Sequence, residues 1–129
     1  MAVITKQGRM MQTQEYDMQC AVKSWFNSQY PLMGDLLMSI PNGVFTSQRK
    51  GAKLKKSGVV AGYPDMALFL STNKHGALFV ELKSTNGRVS KAQDSIHFQL
   101  TNQRYKVVVA RSFDEAKAVI EDYLNGNKK

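Results

Sequence analysis

The chain has 129 residues, 43% of them hydrophobic, a single cysteine, and 18 Lys and Arg against 10 Asp and Glu, for a net charge of +8. This length fits one domain, residues 1–129, and a lone cysteine excludes an intrachain disulfide or a cysteine zinc cluster. The sequence contains no 18-residue apolar run and no secretory signal pattern, so we expect a cytoplasmic protein. The excess of positive charge favours nucleic acid as the partner, with a basic protein that binds no polyanion as the alternative.

The first half of the chain predicts a helix, a short strand and a basic helix. After a polar lead-in over residues 1–12, Thr13 to Tyr30 is predicted to be helical and Pro31 ends it. An apolar stripe along this helix is predicted to consist of Met18, Ala21, Val22, Trp25 and Phe26. Leu36–Ile40 predicts a strand that enters a turn. Residues 46–57 predict a basic helix closed by Gly58.

The second half predicts a hairpin, a helix, a strand and a last helix. The strands Met66–Leu70 and Leu78–Lys83 are joined by residues 71–76, which have turn chemistry. Capping boxes, Ser90 with Gln93 and Ser112 with Glu115, begin the two helices on either side of the strand Tyr105–Ala110, and Gly126 ends the last helix. The buried face of that helix is predicted to be Phe113, Ala116, Val119, Ile120, Tyr123 and Leu124. This order indicates an α/β fold around one mixed sheet.

Two opposite charges interrupt the apolar strand Leu78–Lys83. Glu81 and Lys83 share one face, about 7 Å apart, because side chains alternate along a strand. Asp65 precedes the partner strand, and pairing through the turn can bring it alongside Glu81. Converging carboxylates repel unless a cation neutralises them, and Mg²⁺ typically uses one or two carboxylates with waters and phosphate oxygens. A metal site with a water-activating lysine is therefore indicated; an exposed edge strand with a salt bridge is the alternative.

Other charged residues have simpler interpretations. Glu115-Ala116-Lys117 repeats the acid-x-Lys spacing, but Glu115 is interpreted as a capping residue and Lys117 as solvated. Glu15 extends the core-facing side of the first helix, and an acid placed favourably for the helix dipole is the alternative. His75 and His97 have no second histidine at ligand spacing, so both are interpreted as non-catalytic.

Several spaced motifs together resemble one known family. They are Pro41-Asn42-Gly43, Gly58-x-x-Ala61-Gly62-x-Pro64-Asp65, Phe79-Val80-Glu81-Leu82-Lys83 and Gly87-Arg88-Val89-Ser90-Lys91-Ala92-Gln93. In this order they closely resemble the VRR-NUC domain, the virus-type replication-repair nuclease branch of the PD-(D/E)XK superfamily, in its stand-alone, phage-type members. The resemblance covers residues 13–124 and implies a restriction-endonuclease-like core, a central mixed β-sheet flanked by α-helices.

The resemblance also implies roles for individual residues. Asp65, Glu81, the Leu82 backbone carbonyl and Glu15, the acid of the first helix, would hold the metal. Lys83 would be the catalytic lysine, and Gln93 would hold phosphate or lysine geometry, in addition to or in place of its capping role. The residues expected to contact DNA are Asn42, Arg88 and the basic stretch formed by Arg49, Lys50, Lys53, Lys55 and Lys56. For that stretch, a solvated helix face is the alternative. Val44-Phe45-Thr46 departs from the glycine-and-arginine continuation of the family.

The expected function is that of an endodeoxyribonuclease that hydrolyses phosphodiester bonds with Mg²⁺, or with Mn²⁺ as a substitute. Because stand-alone members of the family resemble Holliday-junction resolvases, branched DNA is the expected substrate and a symmetric homodimer the expected assembly. The alternative is a nucleic-acid-binding module on a nuclease fold, without turnover of its own.

Overall fold

A computed structural model of the chain describes the backbone of residues 6–41 and 48–126, and the side chains of residues 13–41 and 49–126. The elements follow the predicted order: α1 (Lys6–Gln29), β1 (Leu37–Ser39), α2 (Gln48–Lys56), β2 (Met66–Leu68), β3 (Leu78–Leu82), α3 (Lys91–Asn102), β4 (Lys106–Ala110) and α4 (Phe113–Asn125). Within these ranges, no helix has both the length and the apolar character needed to cross a membrane.

The first helix differs from its prediction at its beginning and on its buried face. It begins at Lys6, so residues 6–12, expected to be a loose lead-in, are helical, as suits a segment rich in Lys, Gln, Arg and Met. Val22 and Phe26 are fully buried, whereas Ala21 is exposed. Ala21 lies about 100° around the helix from Val22, so the buried stripe is narrower than predicted.

The sheet has the strand order β1-β2-β3-β4. The pairs β1/β2 and β2/β3 are antiparallel, and β3 pairs with β4 in parallel. The predicted mixed sheet is therefore confirmed, and β3 lies between two neighbours. This position excludes the alternative of an exposed edge strand for the segment that carries Glu81.

Helices cover both faces of the sheet. On one face, Leu78, Val80 and Leu82 of β3 pack with Val22 and Phe26 of α1 and with the buried side of α4, formed by Ala116, Ile120 and Tyr123. On the other face, Phe79 packs with Ile96 and Leu100 of α3. Since side chains alternate along β3, Glu81 is on the same face as Phe79 and points toward α3.

Candidate active site

The register of the β2/β3 hairpin places Asp65 opposite Glu81. Met66 pairs with Val80 in an antiparallel ladder, so one step outward the partners are Asp65 and Glu81. The Leu82 backbone N–H donates to Asp65 Oδ2 at 2.7 Å. This carboxylate thereby binds the backbone of β3 immediately beyond Glu81, and the predicted convergence of the two acids is observed.

Gly62 allows the segment before Asp65 to pass close to α3. Its φ is +102°, and a Cβ atom at this position would lie 2.4 Å from the Ala92 carbonyl oxygen. Any other residue would push the segment away from the first turn of α3, for both steric and conformational reasons. Gly62 thus lets the motif that ends at Asp65 pack against the motif that ends at Gln93. This contact fixes the path of the chain as it reaches Asp65.

Glu81 is a buried carboxyl group beside another acid. It is 1% exposed, and burial, followed by a hydrogen bond to Asp65 and the negative charge of Asp65, raises its pKa to about 9, against an opposing effect of Lys83. Glu81 therefore retains its proton at neutral pH as long as no cation is bound. A hard cation between the two oxygen donors would remove this penalty, which is the electrostatic setting of a divalent metal site.

His97 of α3 contacts the same carboxyl group. Its Nε2 atom lies 3.3 Å from Glu81 Oε1, and its side chain is 14% exposed. Burial is the main cause that lowers the pKa of His97, while the pKa of Glu81 is raised. The contact at neutral pH is therefore a hydrogen bond between uncharged groups and not an ion pair.

Lys83 and the turn that follows it are bound from two sides. Lys83 is 9% exposed, and its backbone N–H donates to the Ala110 carbonyl at 2.9 Å, which extends the β3/β4 pairing. Glu15 Oε2 accepts from the Ser84 N–H at 3.1 Å. A Cβ atom on Gly87 would lie 2.9 Å from Ser84 Oγ, so a side chain at this position would have to displace that hydroxyl.

Arg111 binds the same turn from β4. Its guanidinium Nη1 donates to the carbonyls of Ser84 at 3.1 Å and of Gly87 at 2.5 Å. Ser112 Oγ accepts from the Glu115 N–H at 3.0 Å, as predicted for the start of α4. The other half of the predicted capping box differs: the expected donor to the Glu115 carboxylate is the Ser112 N–H. The carboxylate instead accepts from the Arg111 N–H at 2.6 Å, so Glu115 holds the backbone of Arg111.

Gln93 has the predicted capping role. Its Oε1 accepts from the Ser90 N–H at 2.9 Å while Ser90 Oγ accepts from the Gln93 N–H at 3.1 Å. The side-chain oxygen is thus occupied by the helix cap, and the amide NH₂ is the end that can contact a phosphate. Arg88, in the segment between the turn and α3, is exposed.

The basic residues of α2 are exposed. Arg49, Lys53 and Lys56 are spaced i, i+4 and i+7 and form one line along the helix, whereas Lys55 lies on a different side. All five predicted basic positions, Arg49, Lys50, Lys53, Lys55 and Lys56, are solvent-accessible. Asn42 lies outside the described residues.

The donor set fits a small divalent cation with few protein ligands. No group of three or more His, Cys, Asp or Glu side chains is arranged to hold a metal in the part of the chain that the structure describes. Two carboxylates supplemented by waters and phosphate oxygens are nevertheless the usual protein contribution to Mg²⁺ sites.

A comparison with protein families identifies this arrangement. A model of the VRR-NUC domain matches residues 6–114. The chain belongs to the VRR-NUC family. The match includes all of α1 and ends at the start of α4, whereas the sequence interpretation placed the VRR-NUC core at residues 13–124.

A solved structure gives the same result. A protein described as a VRR-NUC domain protein is 27% identical and superposes with a TM-score of 0.78 over 88% of this chain and 90% of that chain. None of the curated proteins compared matches the sequence significantly. The restriction-endonuclease-like fold expected for a VRR-NUC domain is confirmed, and the domain is of the nuclease type.

Sequence reasoning missed His97 and Arg111. The signal for His97 was its position beside Ile96 and Leu100, whose spacing indicates the side of α3 that faces the sheet. Arg111 gave no signal, because its contacts depend on where β4 ends relative to the turn after Lys83. Lys117, expected to be solvated, is half-buried with its ammonium 5.8 Å from the centre of the Trp25 ring.

Proposed function

We propose that this VRR-NUC chain is an endodeoxyribonuclease that hydrolyses phosphodiester bonds with Mg²⁺, or with Mn²⁺ as a substitute. The observation that carries the proposal is the convergence of Asp65, just before β2, and Glu81, at the end of β3, beside Lys83. A buried glutamic acid whose pKa is raised to about 9 is costly for a structural position, and strongly perturbed groups of this kind are concentrated at functional sites. Membership of a nuclease family supports the same conclusion.

Asp65 and Glu81 are the proposed carboxylate ligands, with the Leu82 backbone carbonyl as a third oxygen. When bound, a divalent cation polarises the scissile phosphate and lowers the pKa of a coordinated water. Glu15 is proposed to contribute its negative charge from the α1 side, since it is among the groups that raise the pKa of Glu81.

Lys83 is the proposed catalytic lysine. It lies two residues beyond Glu81, on the same face of the strand, and its charge acts on Glu81, so we place its ammonium group beside the metal, where it would hold the attacking water. As the water oxygen bonds to phosphorus, the bond from phosphorus to the leaving oxygen breaks. The water gives up one proton to solvent, the Lys83 ammonium donates to the attacking oxygen or to the phosphate without accepting that proton, and the leaving oxygen takes a proton from solvent. The Gln93 amide NH₂ and the exposed Arg88 are proposed to contact phosphates beside the scissile one.

The basic line on α2 is proposed to bind the DNA backbone. Arg49, Lys53 and Lys56 would contact successive phosphates, with Lys50 and Lys55 adding to the local positive charge. Contacts of this kind give affinity and orientation without reading sequence. They suit an enzyme that recognises the shape of branched DNA, which is the proposed substrate. Asn42, which lies outside the described residues, is also proposed to contact DNA.

The proposed active species is a symmetric homodimer. One chain supplies one catalytic centre, while a four-way junction with two-fold symmetry requires two incisions on opposed strands. Exposed apolar side chains support an interface in this region: Met38 in β1 is 45% exposed, and Leu32 in the segment before β1 is 99% exposed. Light scattering at assay concentration, combined with cutting of a junction whose four arms carry separate labels, tests the assembly; a monomer that nicks flaps and ignores junctions would overturn it.

The experiment that tests the activity uses linear, flapped and four-way DNA, with MgCl₂ or with EDTA. We expect metal-dependent cleavage, fastest on the branched substrates. A non-catalytic binding module would shift all three substrates in a gel and cut none of them. Cleavage in EDTA would also contradict the proposal.

A further inference from the structure

His97 contacts the carboxyl group of Glu81. The attachment of α3 to the sheet does not require this contact. That helix is anchored to the sheet by Ile96 and Leu100, which are 8% and 9% exposed. Its first turn is satisfied by the capping box of Ser90 and Gln93. The His97 ring instead extends to the end of β3, where Nε2 lies 3.3 Å from Glu81 Oε1. A leucine at this position could not donate a hydrogen bond to Glu81.

The contact involves one specific oxygen of Glu81. The terminal torsion of a glutamate side chain is broad, so burial alone does not fix the plane of its carboxylate. A donor at Oε1 fixes that plane and leaves Oε2 for other partners. Hydrogen bonds of this kind orient metal-binding carboxylates in many proteins, and their loss typically costs about 10- to 100-fold in metal affinity.

We propose that His97 is a positioning residue that holds the Glu81 carboxylate through Oε1, so that Glu81 and Asp65 bind one divalent cation together. This inference rests on the proposed metal-dependent function and adds a residue that acts through Glu81. The ring does so as the tautomer with its proton on Nε2. His97 is not itself a ligand, because its Nε2 atom is engaged by Glu81 Oε1.

Three variants distinguish positioning from packing. His97→Leu keeps an apolar side chain of similar reach and removes the donor. His97→Gln keeps a nitrogen donor near the place of Nε2. His75→Leu is the matched control, because His75 is also half-buried but lies in the 69–77 connection beside Tyr123, with 6.3 Å between the ring centres.

The primary measurement is Mn²⁺ binding without DNA, followed by the electron paramagnetic resonance signal of free Mn²⁺. We expect His97→Leu to weaken Mn²⁺ binding by about 10-fold or more. His97→Gln should stay within about threefold of the wild type, and His75→Leu should be unchanged. The metal concentration for half-maximal cleavage should shift in the same order. Wild-type affinity in a folded His97→Leu protein would overturn the inference, as would an equal loss in the Gln and Leu variants.

A second measurement needs no His97 variant and remains decisive if His97→Leu fails to fold. Histidine side-chain nitrogen resonances of the wild-type protein are followed during addition of MgCl₂. The His97 Nε2 signal should shift on metal binding, and the His75 signal should not. An unchanged His97 signal in a protein that binds the metal would overturn the inference alone. A wild-type protein that neither binds Mn²⁺ nor cleaves DNA would overturn the proposed function as well.

Discussion

Asp65 and Glu81 occupy opposite positions at the end of the β2/β3 ladder, and the chain gives each carboxyl group a different partner. Asp65 Oδ2 accepts the Leu82 N–H at 2.7 Å, while Glu81 Oε1 lies 3.3 Å from His97 Nε2. With these oxygens occupied, one carboxyl group hydrogen bonds to the other, and the pKa of Glu81 rises to about 9. Without a cation, Glu81 is neutralised by a proton, while Asp65 keeps its charge.

This proton makes the stability of the metal-free protein depend on pH. The folded state keeps the Glu81 proton up to about pH 9, whereas the unfolded chain releases it near the ordinary value of 4.5. The folded state thus binds more protons between these values, so the contribution of Glu81 to stability is present below the lower pKa and is lost as pH rises through the upper one.

We therefore expect Glu81→Gln to melt at a higher temperature than the wild type in metal-free buffer at pH 8–9. The difference should vanish below about pH 4.5, where both side chains are uncharged in both states. Calorimetry across this range measures the melting temperatures of both proteins. Their difference cancels the effect of other groups that titrate in the same way in both. Adding MgCl₂ should stabilise the wild type and leave the variant unchanged; a constant difference across the pH range would contradict this expectation.

Lys83→Ala should lower the cleavage rate by about 10²–10³-fold, the usual cost of removing one donor that stabilises the charge of the transition state. The matched control is Lys117→Ala, because Lys117 has the same acid-x-Lys spacing but packs over Trp25. That variant should cleave at the wild-type rate with some loss of stability. Circular dichroism checks that both are folded, and a slow Lys117→Ala enzyme with an active Lys83→Ala enzyme would reverse the assignment.

Arg111→Ala should reduce cleavage without removing any group that contacts the metal or the scissile phosphate. Its guanidinium binds the carbonyls of Ser84 and Gly87, and misplacing a catalytic lysine by about 1 Å can cost about 10²-fold. Ser112→Ala, one residue away, removes only the α4 cap and should cost about 0.5–2 kcal/mol of stability. Its cleavage rate should be that of the wild type. Equal effects of the two variants on cleavage would indicate that Arg111 acts through α4 alone.

Replacing Arg49, Lys53 and Lys56 together with Gln should weaken DNA binding equally for all sequences. The slope of log affinity against log salt should become shallower by about 0.9 for each phosphate that the protein no longer neutralises. The control replaces Lys74, Arg104 and Lys106 with Gln, which removes the same charge from exposed positions outside α2. Fluorescence anisotropy at several salt concentrations measures both, and equal slopes for the two triple variants would show that net charge, and not the α2 line, binds DNA.

The sequence predicted most of the fold because the decisive patterns were local. The β3 alternation and the turn before it indicated that Glu81, Lys83 and Asp65 share one end of the hairpin, and the Ser90–Gln93 capping box was read directly from its spacing. His97 and Arg111 could not be assigned in this way. Their contacts join α3 or β4 to the end of β3 over 16 to 27 residues of sequence, and such distances are set by tertiary packing.

The direct test of the proposed metal site is the cleavage of supercoiled plasmid as MgCl₂ is increased, with wild-type, Asp65→Asn and Glu81→Gln proteins purified in the same way. We expect nicked and linear products from the wild type only, a rate that saturates with metal, and complete loss of cleavage in EDTA. Cleavage by either folded variant at a rate near that of the wild type would contradict the proposal, because no metal site could then depend on that carboxylate.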